Sequence, residues 1–236
     1  MRHTCIAAAL VVLAGTAAAE NAPTYRHGSV TPMLGTDVGL DLAFALQIEL
    51  PIRVRLTGSA GWLPGGYAWI LDKYYTDVFD GRPAVGELIK ESVKNAFVAR
   101  GMFGVRPFAH RGAFIDATYT FVISEKDGLV AGVIENASGL GLHEALPFSR
   151  TFESTVRVHM LGGQVGWQWG IGPGWSLRAS IGFVTIVRSR ATFEPNFEPS
   201  NPEQTAQIIQ AAQNRFKGAG DGITAPIGSL FLGYTF

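Results

Sequence analysis

The sequence predicts an all-β fold, an eight-stranded antiparallel up-and-down barrel that crosses a membrane and has two short helices in its outer loops. Three observations predict it. Apolar and polar residues alternate along many segments, the chain opens with an export segment, and no later stretch has about 20 consecutive apolar residues, the length of a membrane-spanning helix. Backbone amides in lipid must pair internally, so a closed barrel is the spanning structure that remains.

Composition excludes several classes of protein. The 236 residues include 29 glycines, only 16% are charged, and 19 basic side chains balance 19 acidic ones. Such a chain is too apolar to be disordered and too neutral for a nucleic-acid binder. We therefore expect one core or one membrane-embedded element, and no nucleic-acid partner.

The first residues are typical of a secretory signal. A basic start at Arg2 precedes an apolar run over 6–14 and a small-residue cleavage site at 17–19. We predict a signal peptide at 1–19 and a barrel domain at 20–236. The single cysteine, Cys5, lies in the signal, so disulfides, thiol catalysis and cysteine-based metal binding are not expected in the exported chain.

The clearest strand covers 38–50, where every even-numbered residue is apolar while Asp41, Gln47 and Glu49 are among the odd ones. Pro51 ends it, and the same parity continues to Trp62. A weak strand that contains Pro32 brings the total to an even number, as bacterial barrels require. The predicted strands are 25–34, 38–50, 52–63, 97–107, 112–124, 155–172, 175–190 and 223–236.

One segment departs from the alternation. Val156, Val158 and Met160 lie in the opposite parity to the apolar residues that follow them, and we interpret this as a β-bulge near Gly162 and Gly163.

The polar parity predicts the content of the barrel. Eight strands enclose a space just wide enough for side chains, where charged groups must neutralise one another. The expected lumen network is Asp41, Gln47, Glu49, Arg53, Arg55, Arg100, Arg106, Asp116, Gln164, Gln168 and Arg178. A salt-bridged structural interior and a narrow ion path both fit this set. A soluble barrel such as a lipocalin, with the apolar parity inside, is the alternative fold.

The connections divide into two kinds. Short turns at Pro51, 107–111 and Pro173 fall at one end, and long connections at 64–96, 125–154 and 191–222 fall at the other. Apolar spacing predicts helices at 83–96 and after Ser200, whose spacing to Glu203 fits a capping box. These loops supply an apolar patch, which either closes the barrel mouth or binds a ligand, a lipid or a protein: Tyr67, Trp69, Tyr74, Tyr75, Leu88, Ile89, Ile208 and Ile209.

The last strand alternates up to Tyr234 and Phe236, where the chain ends. This resembles the C-terminal signature of small bacterial outer-membrane barrels of the OmpA/OmpX type, here without a periplasmic domain. The resemblance implies a bacterial outer-membrane location, outer-membrane lipid as surroundings, and recognition of Tyr234 and Phe236 by the barrel assembly machinery.

The sequence offers little catalytic chemistry. His159 with Ser154 and His143 with Glu144 can be drawn as base and nucleophile, but no motif spacing supports either pair. We therefore predict no enzyme, no catalytic residues, no cofactor and no metal. The predicted role is structural or binding, through long extracellular loops; a narrow channel and a lipid-modifying enzyme are the alternatives.

Overall fold

A computed structural model describes residues 28–108, 112–140 and 150–236. In it, eight strands form a closed ring in chain order, with each strand antiparallel to the next and β8 paired back to β1. The fold class predicted from the sequence is confirmed. The strands are β1 Ser29–Val38, β2 Asp41–Glu49, β3 Val54–Trp62, β4 Phe97–Val105, β5 Ala113–Val130, β6 Thr151–Gly170, β7 Trp175–Pro195 and β8 Thr224–Tyr234.

The first strand lies further along the chain than predicted. It runs four residues past 34, to Val38, and residues 25–27 of the predicted strand lie outside the described part. Pro32 is tolerated because pairing with β8 begins only at Met33, so no amide hydrogen is needed there for β8. Gly39, with φ of 89°, then turns the chain into β2, which starts at Asp41 rather than at 38.

The two faces of the barrel have opposite chemistry. Leu42, Phe44, Leu56 and Ile181 face outward and are between 39% and 56% exposed, whereas the polar residues between them are buried. The apolar parity therefore does not form the barrel interior. The soluble carrier fold, which requires those side chains to converge, is wrong for this chain.

Four helices of the described part lie at one end of the ring. They are α1 Gly65–Val78 and α2 Pro83–Val93 between β3 and β4, α3 Ala131–Ser138 between β5 and β6, and α4 Pro202–Gly220 between β7 and β8. Two were predicted, and α1 and α3 were missed. The N-cap residue of α4 is Asn201 rather than Ser200, since the Asn201 side-chain oxygen accepts from the Gln204 amide at 3.2 Å.

None of these helices, nor any other in the described ranges, is long and apolar enough to cross a bilayer.

The wall of the barrel is uneven in height. β5, β6 and β7 have 18, 20 and 21 residues, whereas the other strands have 9 to 11. The extra length lies at the helical end, where α4 packs against β7 and α2 against β5. Strands β5, β6 and β7 therefore extend beyond the other strands and surround part of the helical end.

The bulge lies on a different strand from the one predicted. His159 pairs with Arg188 while Met160 pairs with Ile186, so the extra residue is Val187 in β7 and not a residue near Gly162 and Gly163. Residues 156, 158 and 160 of β6 keep their parity and point inward, because the barrel interior is apolar at this height.

Candidate functional site: the filled lumen and its helical cap

Asp116 on β5 is the centre of the polar lumen. Its Oδ2 accepts from Arg178 Nη2 on β7 at 2.5 Å and from Gln164 Nε2 on β6 at 3.1 Å. Arg55 Nη2 on β3 is 3.9 Å from the same oxygen. The alternation of four strands thus directs complementary groups at one point, where burial makes each charge dependent on the others.

An aromatic ring packs against two of these charges. The Arg55 and Arg178 guanidinium carbons lie 4.1 Å and 4.6 Å from the centroid of the Phe114 ring. Phe114 is itself fully buried. Cation–π contact stabilises two arginines that share one carboxylate.

The network continues toward the end of the barrel opposite the helices. Glu49 accepts from Arg106 Nη2 at 2.9 Å, and Gln47 accepts from Arg55 Nη2 at 2.8 Å. Gln168 joins the two groups more loosely, since its Oε1 is 3.4 Å from donors of both Arg106 and Gln47. These residues extend the buried polar network to this end of the lumen.

A second set of buried acidic and basic side chains lies on β1, β2 and β4. Arg100 Nη1 is 2.7 Å from Asp37 Oδ2, and Arg100 Nε donates to Thr120 Oγ1 at 3.0 Å. Asp41 is buried opposite Asp37 in the strand register. Asp37 was missed because the first strand was predicted to end at 34. The sequence feature that could have indicated Asp37 is a single carboxylate just before the turn at Gly39.

The buried lumen charges cancel. Four arginines (55, 100, 106 and 178) face four carboxylates (37, 41, 49 and 116) among the described buried residues. Arg53 does not belong to this set: it lies in the turn between β2 and β3 with φ of 66° and is exposed, so its predicted place in the lumen is wrong. The other predicted lumen residues are all buried in the barrel.

The helical end of the lumen is filled by apolar side chains. Val98, Val122 and Val184 of the wall belong to one buried cluster with Leu88 of α2 and Phe216 of α4. Ile134 of α3 and Ala212 of α4 are also fully buried in it. We call the four helices the cap, and this cluster shows that the cap is packed into the barrel.

The predicted loop patch is not one exposed surface. Leu88 and Ile208 are buried in the apolar cluster, and Tyr67, Ile89 and Ile209 are half-buried against it. Tyr74 and Tyr75 are also half-buried. Trp69 alone of the eight predicted residues is exposed, beside the exposed Ile70 on α1.

Polar contacts fasten the cap at several points of the rim. The Tyr67 hydroxyl is 2.8 Å from the Thr36 hydroxyl of β1, and the Tyr74 hydroxyl donates to the Thr224 carbonyl of β8 at 3.2 Å. Lys126 of β5 donates to Glu91 of α2 at 3.1 Å. Helix α1 therefore reaches from one side of the β1–β8 seam to the other.

The structure does not bring together His159 and Ser154, which the sequence analysis considered as a base and a nucleophile. His159 is on the outward face of β6, where its Nδ1 is 2.7 Å from the Tyr119 hydroxyl, and Ser154 is buried on the inward face. His143 and Glu144 lie outside the described residues. Within the described ranges, no three His, Cys, Asp or Glu side chains form a group that could hold a metal.

The two predicted assembly-signal residues lie at the end of the barrel opposite the cap. The Tyr234 ring is 5.4 Å from Trp175 and 5.1 Å from Phe236, edge to face in both cases. The Phe236 amide donates to the Val30 carbonyl of β1 at 3.1 Å. This aromatic group borders the seam that closes the ring.

Comparison with known proteins gives fold-level likeness only. No protein-family model and no curated protein matches the chain. Acinetobacter baumannii CarO2 is 8% identical over 89% of this chain and 98% of its own, with a TM-score of 0.37. A. baumannii CarO is 11% identical over 88% of this chain and 97% of its own, with a TM-score of 0.33. A major outer membrane protein from Thermus thermophilus is 14% identical over 89% of this chain and 98% of its own, with a TM-score of 0.37.

Proposed function

We propose that the chain is an integral barrel of the bacterial outer membrane that holds a rigid helical cap at the cell surface and acts through what the cap binds. The observation that carries this proposal is the belt of exposed apolar side chains on the outward face of the strands, around a charged interior. Soluble monomers rarely expose apolar patches beyond a few hundred Å², and hydrocarbon solvates such a belt at no cost.

The height of the belt matches a bilayer. Strand β2 has nine residues, which at about 3.3 Å per residue and a tilt of about 40° span roughly 23 Å along the barrel axis. The lipid-facing band of outer-membrane barrels is about 25 Å tall. Aromatic side chains border this belt, with Trp175, Tyr234 and Phe236 at one rim and Trp62 at the other.

The filled interior favours binding over conduction. Ion pairs and Phe114 occupy one half of the lumen and apolar side chains of wall and cap occupy the other. A conducting path would have to separate buried ion pairs or displace helices from a packed core. Exposed Trp69, Ile70, Val78 and Phe79 at α1 are the apolar residues that the cap presents for a partner.

The membrane assignment is tested by cell fractionation and by gel migration. We expect the chain in the outer-membrane fraction, with unboiled protein migrating faster than boiled protein because a closed barrel resists detergent. Equal migration of both samples, with recovery in the soluble periplasm, would refute the assignment.

Conduction is tested separately in planar bilayers. We expect no discrete current steps from protein that passes the migration test. Reproducible steps that change in Arg100→Ala would show a path through the lumen and replace the binding role by a channel.

A further inference from the structure

A basic cluster lies on the outward face of the tall wall, apart from the lumen. Arg157 and His159 of β6 pair across the strands with Arg190 and Arg188 of β7. The three arginines are exposed, and the four side chains line a hollow of about 150 Å³. We call these four residues the rim cluster.

The arginines of the rim cluster form no ion pair with the carboxylates of the described residues. None of the ion pairs among the described residues involves Arg157, Arg188 or Arg190. Glu125 of β5 pairs with Thr155, one step outward along the wall, and Glu153 pairs with Glu194 a further step out. Like charges placed opposite each other on a sheet are destabilising, so an anion from outside the chain would stabilise the cluster.

The depth of the rim cluster matches the headgroup level of the outer leaflet. From Trp169 to His159, β6 advances ten residues, or about 25 Å along the axis at the usual rise and tilt. Leu161 and Phe183 precede the cluster on the same face and are 52% and 55% exposed. Beyond this point the outward residues of β6 and β7 become charged, as they do where hydrocarbon ends, while Phe121 and Ile123 of β5, opposite His159 and Arg157, are still apolar.

An apolar groove lies directly below the rim cluster. It has a volume of about 500 Å³ and is bordered by Ile115, Leu161 and Phe183. Ala117 and Gly163 form its floor, because these two small residues pair across β5 and β6 on the outward face. Thr185 lies at its upper end, next to the cluster. The same three strands therefore present a cationic hollow above a shallow, largely apolar depression.

We propose that the outward face of β5, β6 and β7 binds one phosphate-bearing lipid of the outer leaflet, with its phosphate on Arg157, Arg188 and Arg190 and an acyl chain in the groove over Gly163. Guanidinium groups match phosphate oxygens in geometry and charge. The inference rests on the proposed placement in the outer membrane.

The test uses the full chain refolded from urea into a non-ionic detergent, free of native lipid, and native mass spectrometry. A bisphosphorylated lipid A is titrated beside phosphatidylcholine, whose phosphate is neutralised by its own choline. We expect a one-to-one adduct with lipid A and weaker binding of phosphatidylcholine. Arg157→Gln, Arg188→Gln and Arg190→Gln together should lower lipid A affinity by about a hundredfold, the scale of a few charge-assisted hydrogen bonds.

A matched control removes the same charge from the same end of the molecule. Lys73, Arg82 and Lys94 are exposed in the cap and outside the cluster, so their combined replacement by Gln should leave lipid A binding within about twofold of wild type if bulk charge is irrelevant. Equal loss in both triple variants would overturn the site, since attraction would then depend on net charge alone.

Two further arms test the lipid nature of the ligand. A Cβ at Gly163 would meet only the Asp116 carbonyl, at an ordinary 3.7 Å, so Gly163→Leu should fold normally and weaken lipid A binding about tenfold by filling the groove. Millimolar inorganic phosphate should not displace the lipid. Displacement by phosphate, or an unchanged affinity in Gly163→Leu, would overturn the proposal. A wild-type barrel that shows heat-dependent migration yet binds no lipid A refutes only this inference.

Discussion

Removing the charge of Asp116 tests whether the lumen is held together by paired charge. Asp116→Asn keeps the shape of the side chain, but it leaves Arg178 and Arg55 buried at about 2% and 1% side-chain exposure without their shared carboxylate. Breaking a buried ion pair from one side costs about 3–5 kcal/mol, because the remaining charge stays desolvated. We expect the free energy of unfolding to fall by this amount.

The measurement is urea unfolding in lipid vesicles, followed by tryptophan emission and by the fraction of heat-resistant barrel on gels. Asp77→Asn is the control: Asp77 is exposed and its oxygen is 3.9 Å from Lys73, and such pairs contribute about 0–1 kcal/mol. A loss below about 1 kcal/mol for Asp116→Asn, similar to that of the control, would refute the reasoning.

A double variant separates charge from shape. Asp116→Asn with Arg178→Met removes both partners, so fewer charges remain uncompensated than in Asp116→Asn alone. We expect it to be more stable than the single variant. If the two losses instead add, the cost comes from packing around Phe114 and not from unpaired charge.

Three other outcomes follow from the positions of single residues. Leu88→Ala should cost about 2–5 kcal/mol and make the loops sensitive to protease while the barrel still resists detergent; protection equal to wild type would show a loosely packed cap. Arg53→Ala should leave urea unfolding within about 0.5 kcal/mol, whereas Arg106→Ala should destabilise the barrel by leaving Glu49 without its bond at 2.9 Å; equal effects would contradict their different placement. Deleting Phe236 should slow the appearance of heat-resistant barrel in cells, measured by pulse labelling, with little effect on refolding in detergent; a normal rate in cells would argue against an assembly signal.

Regular alternation made most of the barrel predictable from the sequence. On β2 every large apolar residue faces outward, whereas Asp41, Gln47, Glu49 and two small alanines face inward, so the direction of each side chain could be inferred before its neighbours were known. β1 lacked that regularity. Pro32 and Thr36 interrupt it, and its true end at Val38 depends on pairing with β2 and β8, which is long-range information.

The two missed helices have weak local signals. α1 begins at Gly65 and Gly66, the poorest helix formers after proline, and α3 has only eight residues. Both form because their apolar residues, such as Ala68 and Ile134, are buried in the cluster that closes the barrel. Tertiary packing of this kind cannot be read from a segment alone.

The rule that apolar residues face outward holds over only part of the height of the wall. On β6 the outward residues change from Leu161 to His159 and Arg157, while the inward ones become Val158 and Val156. At the helical end the barrel has an apolar core shared with the helices, so the pattern inverts there. This inversion explains the misplaced bulge, and in the proposed placement it marks where the hydrocarbon ends.

The same inversion determines what the cap can do. A lid that opens needs an interface that tolerates water, but here Leu88, Ile134 and Phe216 share one core with Val98, Val122 and Val184 of the wall. Lifting the cap would expose that core on both sides, at about 1.5–3 kcal/mol for each large side chain. An ion in the polar lumen beneath it would still have to separate the buried pairs of Asp116 to pass. Interactions of this protein are therefore expected on its outer surfaces, at α1 and along β5 to β7, and not in its interior.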